Sequence, residues 1–299
     1  MPYTISAVLL TYQRPADLER ALENLFTQHA PPDEILVIDN DPLGSARATP
    51  LLDHPSVTYY CPGENLGIAR GRNYAAGHAR GDILLFLDDD AAFAASTACT
   101  TLRALFVDEA LACVAFLIRN AATREIVPKE FPGYDPTRWA TPHEVTYFLG
   151  GACAIRHTAF TALNGFDETF FYDGEELEFS YRLLKDQGTI WYTPEIELLH
   201  YASSQGRAAT KNAFWTVRNR WYLALKHLPM PYLCSYLLVW TLFTLLRAIL
   251  AKDLCGYLNG LRAIRREGLW NTALAYRRTS PMPREEVRHL RRQHGRLWY

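Results

Sequence analysis

The chain has 299 residues, 49% of them hydrophobic and 21% charged, with 31 Lys and Arg against 32 Asp and Glu. This composition excludes a disordered or fibrous chain and allows one large core, or a catalytic domain with a smaller appendage. A net charge of −1 gives no whole-chain basic signature for nucleic acid. The average conceals an asymmetry. Residues 257–299 hold ten Arg, no Lys and three Glu, a formal +7, which leaves −8 for the rest. A basic end behind an acidic-to-neutral body suits a surface that meets phosphate groups, anionic lipid headgroups foremost. The six cysteines (Cys61, Cys99, Cys113, Cys153, Cys234, Cys255) are widely spaced with no CxxC pair. They read as free thiols in a reducing compartment rather than as disulfides or a zinc site. Residues 1–6 run straight into a strand without a signal peptide, so a cytoplasmic location is expected.

In chain order, residues 5–11 (Ile-Ser-Ala-Val-Leu-Leu-Thr) form a short apolar run. After Pro15, Leu18, Leu22, Leu25 and Phe26 recur at helical spacing. Pro31-Pro32 break the chain, and residues 34–39 read as a second buried strand, 57–61 as a third, 66–79 as a helix and 82–87 as a fourth strand. Near-continuously apolar strands alternating with helices predict an α/β fold around a parallel sheet covered on both faces. In such sheets ligands bind beyond the carboxyl ends of the strands, and Thr11, Asp39 and Asp88 all fall there. From 108 to 200 the pattern changes to shorter strands (110–117, 147–155, 189–192) among dense aromatics, a mixed half suited to an acceptor. Residues 232–246 are uncharged and lie between Pro231 and Arg247. Fifteen residues fall short of the roughly 20 a spanning helix needs. The segment reads either as an in-plane interfacial helix, with the Arg-rich end behind it, or as a buried core or dimerisation helix.

Asp88-Asp89-Asp90 directly follow an apolar strand. Three adjacent carboxylates repel one another, and a divalent cation, Mn2+ or Mg2+, relieves this while keeping positions open for diphosphate oxygens. A solvated acidic turn is the competing reading. Placement beside Thr11 and Asp39 on one sheet edge favours function.

Four stretches together resemble the family 2 glycosyltransferases, inverting enzymes of GT-A fold, and among them bacterial rhamnosyl- or galactosyl-type surface-glycan transferases. They are Leu10-Thr11-Tyr12-Gln13-Arg14, Val37-Ile38-Asp39-Asn40, Asn65-Leu66-Gly67 running to Arg72-Asn73, and Phe86-Leu87-Asp88-Asp89-Asp90. Gly165-Phe166-Asp167-Glu168 leading to Gly174-Glu175-Glu176-Leu177-Glu178 supports them. The resemblance covers roughly residues 4–225. It implies a GT-A domain over 1–225, and leaves 226–299 as a helical appendage, apolar and then Arg-rich, that meets either membrane or protein.

The resemblance also implies roles in binding a UDP-, dTDP- or GDP-linked sugar. Thr11 and Tyr12 would flank the nucleobase, Arg14 would reach a donor phosphate and Asp39 would accept from the base's imide N–H. Asn65 and Arg72 would lie beside the nucleotide and Asp89 near the ribose. Asp90, with Asp88, would bind the metal, and His200 would complete its site. Glu176 would act as base toward the acceptor hydroxyl. Relatives usually place Asp there, so the longer Glu leaves Glu175 as the alternative. Asp173 followed by Glu176 also fits a helix capping box, which would make Glu176 structural. Gly150-Gly151 could bring backbone N–H groups to a ligand, or simply turn the chain. Arg218-Asn219-Arg220-Trp221 resembles the Gln-x-x-Arg-Trp motif of processive synthases, but Val217 stands in place of Gln, so single additions are expected.

The expected acceptor is a glycan or lipid-linked hydroxyl. A sugar-nucleotide-forming nucleotidyltransferase would open with a Gly-rich basic loop where Tyr12-Gln13-Arg14-Pro15 stand. A non-catalytic scaffold would have lost some of Asp90, Glu176 and His200, and no GxGxxG follows the first strand as a dehydrogenase requires.

Overall fold

The computed structural model describes residues 3–133, 135–202, 213–280 and 282–292. Residues 1–2, ahead of the first strand, and Arg296 of the basic end lie outside the described residues. The chain divides into two compact units, Met1–Phe171 with Glu175–Gly206, and Tyr172–Gly174 with Arg207–Tyr299. The boundary expected at 225 falls inside a helix, Ala213–His227.

The first unit carries β1 (Ile5–Thr11), α1 (Pro15–Phe26), β2 (Glu34–Asp39), β3 (Val57–Tyr60), α2 (Gly67–Ala76), β4 (Ile83–Asp88), β5 (Ala91–Phe93), α3 (Ala98–Leu105), β6 (Leu111–Asn120), β7 (His143–Glu144), β8 (Ala152–Arg156), α4 (His157–Ala162), α5 (Glu175–Lys185) and β9 (Thr189–His200). One mixed sheet runs β3-β2-β1-β4-β8-β6-β9-β5, with β7 paired to β9. The four strands β3, β2, β1 and β4 are parallel. Strand β8 runs antiparallel to β4 and to β6. Strand β6 is parallel to β9.

Burial explains the apolar runs. Ile5, Ala7, Leu9, Ile35, Val37, Ile83 and Leu85 are essentially inaccessible and pack against Leu18, Leu22 and Leu25 of α1 and Leu102 of α3. Each Val, Leu or Ile among them contributes on the order of 1.5–3 kcal/mol. Pro15 starts α1 at a position where no N–H is needed.

In the second half the strand expected at 110–117 runs on to Asn120, and the other two depart further from their expected bounds. Of 147–155 only the end is strand, since Tyr147 and Phe148 are buried outside the ladder and Tyr147 Oη donates to the Phe131 carbonyl at 2.6 Å. The strand expected at 189–192 instead continues to His200. Its register against β6 jumps from Phe116↔Thr193 to Leu117↔Glu197, because Pro194 has no N–H to give the ladder and the chain bulges there.

The second unit is helical: α6 (Ala213–His227), α7 (Met230–Leu250), α8 (Leu254–Arg266), α9 (Leu269–Thr279) and α10 (Arg284–Arg292). Helix α7 corrects the length argument for 232–246. It has 21 residues, about 31 Å at 1.5 Å per residue, enough in length and composition to cross a bilayer. One stripe, Leu233, Tyr236, Trp240, Thr244 and Ala248, is buried. Ala248 packs with Val217 of α6 and Tyr257 of α8. The opposite face exposes Leu238, Leu242, Phe243, Leu246 and Ile249. Within the same unit, Arg218 pairs with Glu267 at 2.7 Å, and Asn219 Nδ2 donates to the carbonyls of Tyr172 and Asp173, each at 2.7 Å. Both side chains are buried and serve the packing of this unit.

Candidate active site

The parallel strands end in register. Thr11 lies opposite Asp39, and Leu10 opposite Asp88, so the carboxyl ends of β1, β2 and β4 form one edge. At Asp88 the chain leaves β4, turns through Asp89 and Asp90, and joins β5 at the far side of the sheet, where Ala91 pairs with His200. The Tyr201 N–H donates to the Asp90 carbonyl at 2.9 Å. The turn therefore brings a carboxylate on one element to the imidazole that ends another.

Asp90 is 1% exposed and Asp89 is 3% exposed. Arg14 Nη1 stands 3.0 Å from Asp89 Oδ1 and 3.3 Å from Asp90 Oδ2. Burial raises the Asp89 carboxyl to about 7, against the pull of Arg14. His200 Nε2 faces Asp90 Oδ1 at 3.5 Å, while its Nδ1 donates to Glu130 Oε2 at 2.8 Å. Hydrogen bonding to Asp90, then to Glu130, raises His200 to about 10.

Among the described residues, no group of three or more His, Cys, Asp and Glu side chains forms a ready-made metal cage. What the site offers is a facing oxygen and nitrogen on Asp90 and His200, beside a buried carboxylate pair that already attracts a cation. That donor set fits a hard or borderline divalent ion whose other positions are filled from outside the protein.

Asp88 belongs to a second group. Its side chain is half exposed, and Oδ1 accepts from Arg72 Nη2 at 3.2 Å. Arg72 Nη1 donates to Glu175 Oε1 at 2.9 Å. Arg72 and Glu175 are both buried, so the guanidinium ties the strand end to the start of α5. Burial, then the neighbouring Glu176, pushes the Glu175 carboxyl well above the usual range, while Arg72 pulls it down. Glu175 Oε2 is buried without a hydrogen-bond partner. Glu176 is half-buried.

Both Gly150 and Gly151 answer to this group, because a Cβ at Gly150 would collide with Arg72 and one at Gly151 with the Asp88 carboxylate. Close approach of side chains, with Gly151 O accepting from Asp88 N at 3.2 Å, is what these glycines serve.

Helix α5 is seated by aromatic packing. Phe166 and Phe179 stand 5.2 Å apart, and Phe160 stacks on Phe179 at 5.4 Å. Fully buried Glu178 accepts from Arg182, whose other nitrogens donate to the carbonyls of Leu163 and Gly165. Asn73 closes the same region, its amide exchanging two 2.8 Å bonds with the Phe166 backbone. The capping-box alternative fails on register and on backbone. Helix α5 begins at Glu175, so the capping position is Gly174 and the third helical residue is Leu177, not Glu176. Asp173 and Gly174 have φ of +64° and +100°, whereas a capping residue has extended backbone.

The remaining expected residues line the same edge. Asp39 accepts from Asp41 N and from Ala46 N, and from Tyr59 Oη, at 2.9 Å each. A carboxylate offers about four lone-pair sites, which leaves room for one more donor. Asn65 Oδ1 accepts from Gly67 N at 2.9 Å at the start of α2. Tyr12 is half-buried after β1, and Thr11 Oγ1 is buried without a hydrogen-bond partner. Glu130 was not identified from the sequence. It lies in a 3-10 turn, Pro128–Glu130, 70 residues from His200, with no periodicity or motif to mark it.

Residues 6–163, just over half of the chain, match the profile of glycosyl transferase family 2. The chain belongs to that family. It is 29% identical over 160 residues to an uncharacterized protein of Haemophilus influenzae, covering 51% of this chain and 86% of that one. Three solved structures share the architecture at low identity. Staphylococcus aureus TarS 1-349 in complex with UDP-GlcNAc superposes with a TM-score of 0.60 at 14% identity, over 93% of this chain and 92% of that one. The mannosyltransferase PcManGT of Pyrobaculum calidifontis, with GDP-Man and Mn2+, gives 0.56 at 17% identity, over 98% and 84%. GalNAc-T7 with UDP, GalNAc and Mn2+ gives 0.61 at 18% identity, over 77% of this chain and 49% of that one, so the chain spans about half its length. The fold is GT-A, and the protein is a glycosyltransferase.

Proposed function

We propose that this chain transfers a hexose from a UDP-, GDP- or dTDP-linked donor to a hydroxyl of a glycan or lipid-linked acceptor. The transfer inverts the anomeric centre, depends on Mn2+ or Mg2+ and adds one sugar at a time. The observation that carries this reading is the convergence on one sheet edge of Arg14 with Asp89 and Asp90, His200 with Asp90, and Arg72 with Asp88 and Glu175.

Asp90 and His200 would hold the cation, with Asp88 as an outer carboxylate shared with Arg72. When bound, the cation supplies charge neutralisation on the departing diphosphate. Arg14, released from the carboxylates, would donate to a diphosphate oxygen. Asp89 would accept from the ribose, and Thr11, Tyr12, Asp39 and Asn65 would form the wall beside the nucleobase. Gly151 would contribute by letting the Asp88 carboxylate sit close, as Gly150 does for Arg72. Glu176 would take the acceptor proton, since Glu175 is buried and committed to Arg72. Inversion is tested by NMR during slow donor hydrolysis. The first-released sugar should carry the anomeric configuration opposite to the donor's, and retention would contradict a single displacement with Glu176 as base.

The second unit is proposed to rest on the inner face of the cytoplasmic membrane. Helix α7 already packs one stripe within its unit and exposes the other, with Arg247 and Lys252 near its end and Arg262, Arg265 and Arg266 exposed on α8. Apolar side chains edged by cations suit in-plane seating on anionic lipid. Cosedimentation with phosphatidylglycerol vesicles at low salt should fall severalfold in neutral vesicles or in 0.5 M salt. Binding indifferent to both would remove the membrane reading.

A further inference from the structure

We propose that Glu130 is a positioning residue for the cation site, fixing which nitrogen of His200 is offered as a ligand. The inference rests on the reading that Asp90 and His200 hold a divalent cation.

An imidazole can present either nitrogen, and the choice is set by the hydrogen bond the other one makes. Here Nδ1 lies 2.8 Å from Glu130 Oε2, and a carboxylate there can only accept, so the Nδ1 proton points to Glu130. The ring is thereby turned with Nε2 toward Asp90 Oδ1, at 3.5 Å. Two donors that share one cation at ordinary bond lengths stand about 3 Å apart, so a small closure of this pair would place both on the ion.

Backbone geometry fixes both ends of the arrangement. His200 is the last residue of β9, pinned by pairing with Ala91 and with Asn120. Glu130 is held in its 3-10 turn by Glu130 N donating to the Val127 carbonyl at 2.8 Å. Both side chains are about four-fifths buried, so water competes poorly for Nδ1. A carboxylate behind a ligating histidine is a recurring way to orient the ring, and its removal costs about 10–100-fold in metal affinity. The contact joins the end of β9 to the 3-10 turn Pro128–Glu130.

The test measures Mn2+ alone by the EPR signal of the free ion, titrated into the full chain as wild type, Glu130→Gln and Glu130→Ala. Compared as pH-independent constants, from titrations at several pH values, Glu130→Ala should weaken the Mn2+ Kd by about 10–100-fold. Glu130→Gln should stay within about threefold, because its amide oxygen still accepts the Nδ1 proton. An alanine variant with wild-type affinity would overturn the proposal. So would glutamine and alanine variants that weaken binding equally, since charge rather than orientation would then be responsible. Wild type without saturable Mn2+ binding would overturn both this inference and the cation reading beneath it.

A second measurement needs no variant that must fold. Histidine 15N shifts of the wild type loaded with diamagnetic Zn2+ should show Nδ1 protonated on His200. A proton on Nε2 would contradict the proposal.

Discussion

Glu176→Gln is expected to lower transfer by about 10²–10⁴-fold, the usual worth of a positioned general base, with nucleotide-sugar affinity unchanged. The amide matches the carboxylate in size but cannot take a proton. Its position is set by α5, whose seat on Phe160, Phe166 and Phe179 does not involve residue 176. The adjacent Glu175→Gln should behave differently. Glu175 is buried, bonded to Arg72, and joined through it to Asp88. Removing one partner of a buried pair commonly destabilises a protein by about 3–5 kcal/mol, so this variant should lose thermal stability and donor affinity together. The pair thus separates base from scaffold by which quantity moves. Wild-type turnover in Glu176→Gln would remove it from the chemistry.

Cation binding should depend steeply on pH. Hydrogen bonds to Asp90 and then Glu130 raise His200 to about 10, so near neutrality the cation-free ring carries a proton on each nitrogen. A cation that takes Nε2 displaces one of them. Its apparent association constant should therefore rise close to tenfold per pH unit below about 10, or roughly 30-fold from pH 7.5 to 9.0. Anaerobic Mn2+ titration, or calorimetry in buffers of different ionisation heat, would report about one proton released per ion. His200→Ala should flatten the dependence. A flat profile in the wild type would show that His200 is not a ligand. The same raised value has a consequence for stability with the sign of a cationic group. The contribution is fully present below 6.5 and is lost as pH rises through about 10, so the cation-free protein should melt at lower temperature across that window.

These effects trace to contacts of very different legibility. The edge formed by Thr11, Asp39 and Asp88 could be read from the sequence because each ends an apolar run, and parallel strands of similar length end together. The turn from β4 into β5 could not. It depends on three residues, Ala91–Phe93, too short to show alternation, pairing with a strand more than 100 residues later. That pairing is what delivers His200 to Asp90.

Arg72 illustrates a second limit. The resemblance puts it beside the nucleotide, and in the fold it is buried between Asp88 and Glu175, partners that the sequence does not mark. The glycines at 150 and 151 follow from the same crowding. Charge type alone does not say which of several carboxylates a buried guanidinium will meet. Helix α7 is longer than the uncharged run 232–246 implies. The helix begins two residues before that run and ends four after it, past Arg247, an exposed residue that an α-helix carries at no cost to its buried stripe.

The most direct measurement of the central claim is calorimetric or thermal-shift binding of UDP-, GDP- and dTDP-sugars with and without Mn2+. One of the three should bind in a Mn2+-dependent manner, and Asp90→Asn or His200→Ala should weaken that dependence. No Mn2+-dependent binding to any member of the panel would contradict the account.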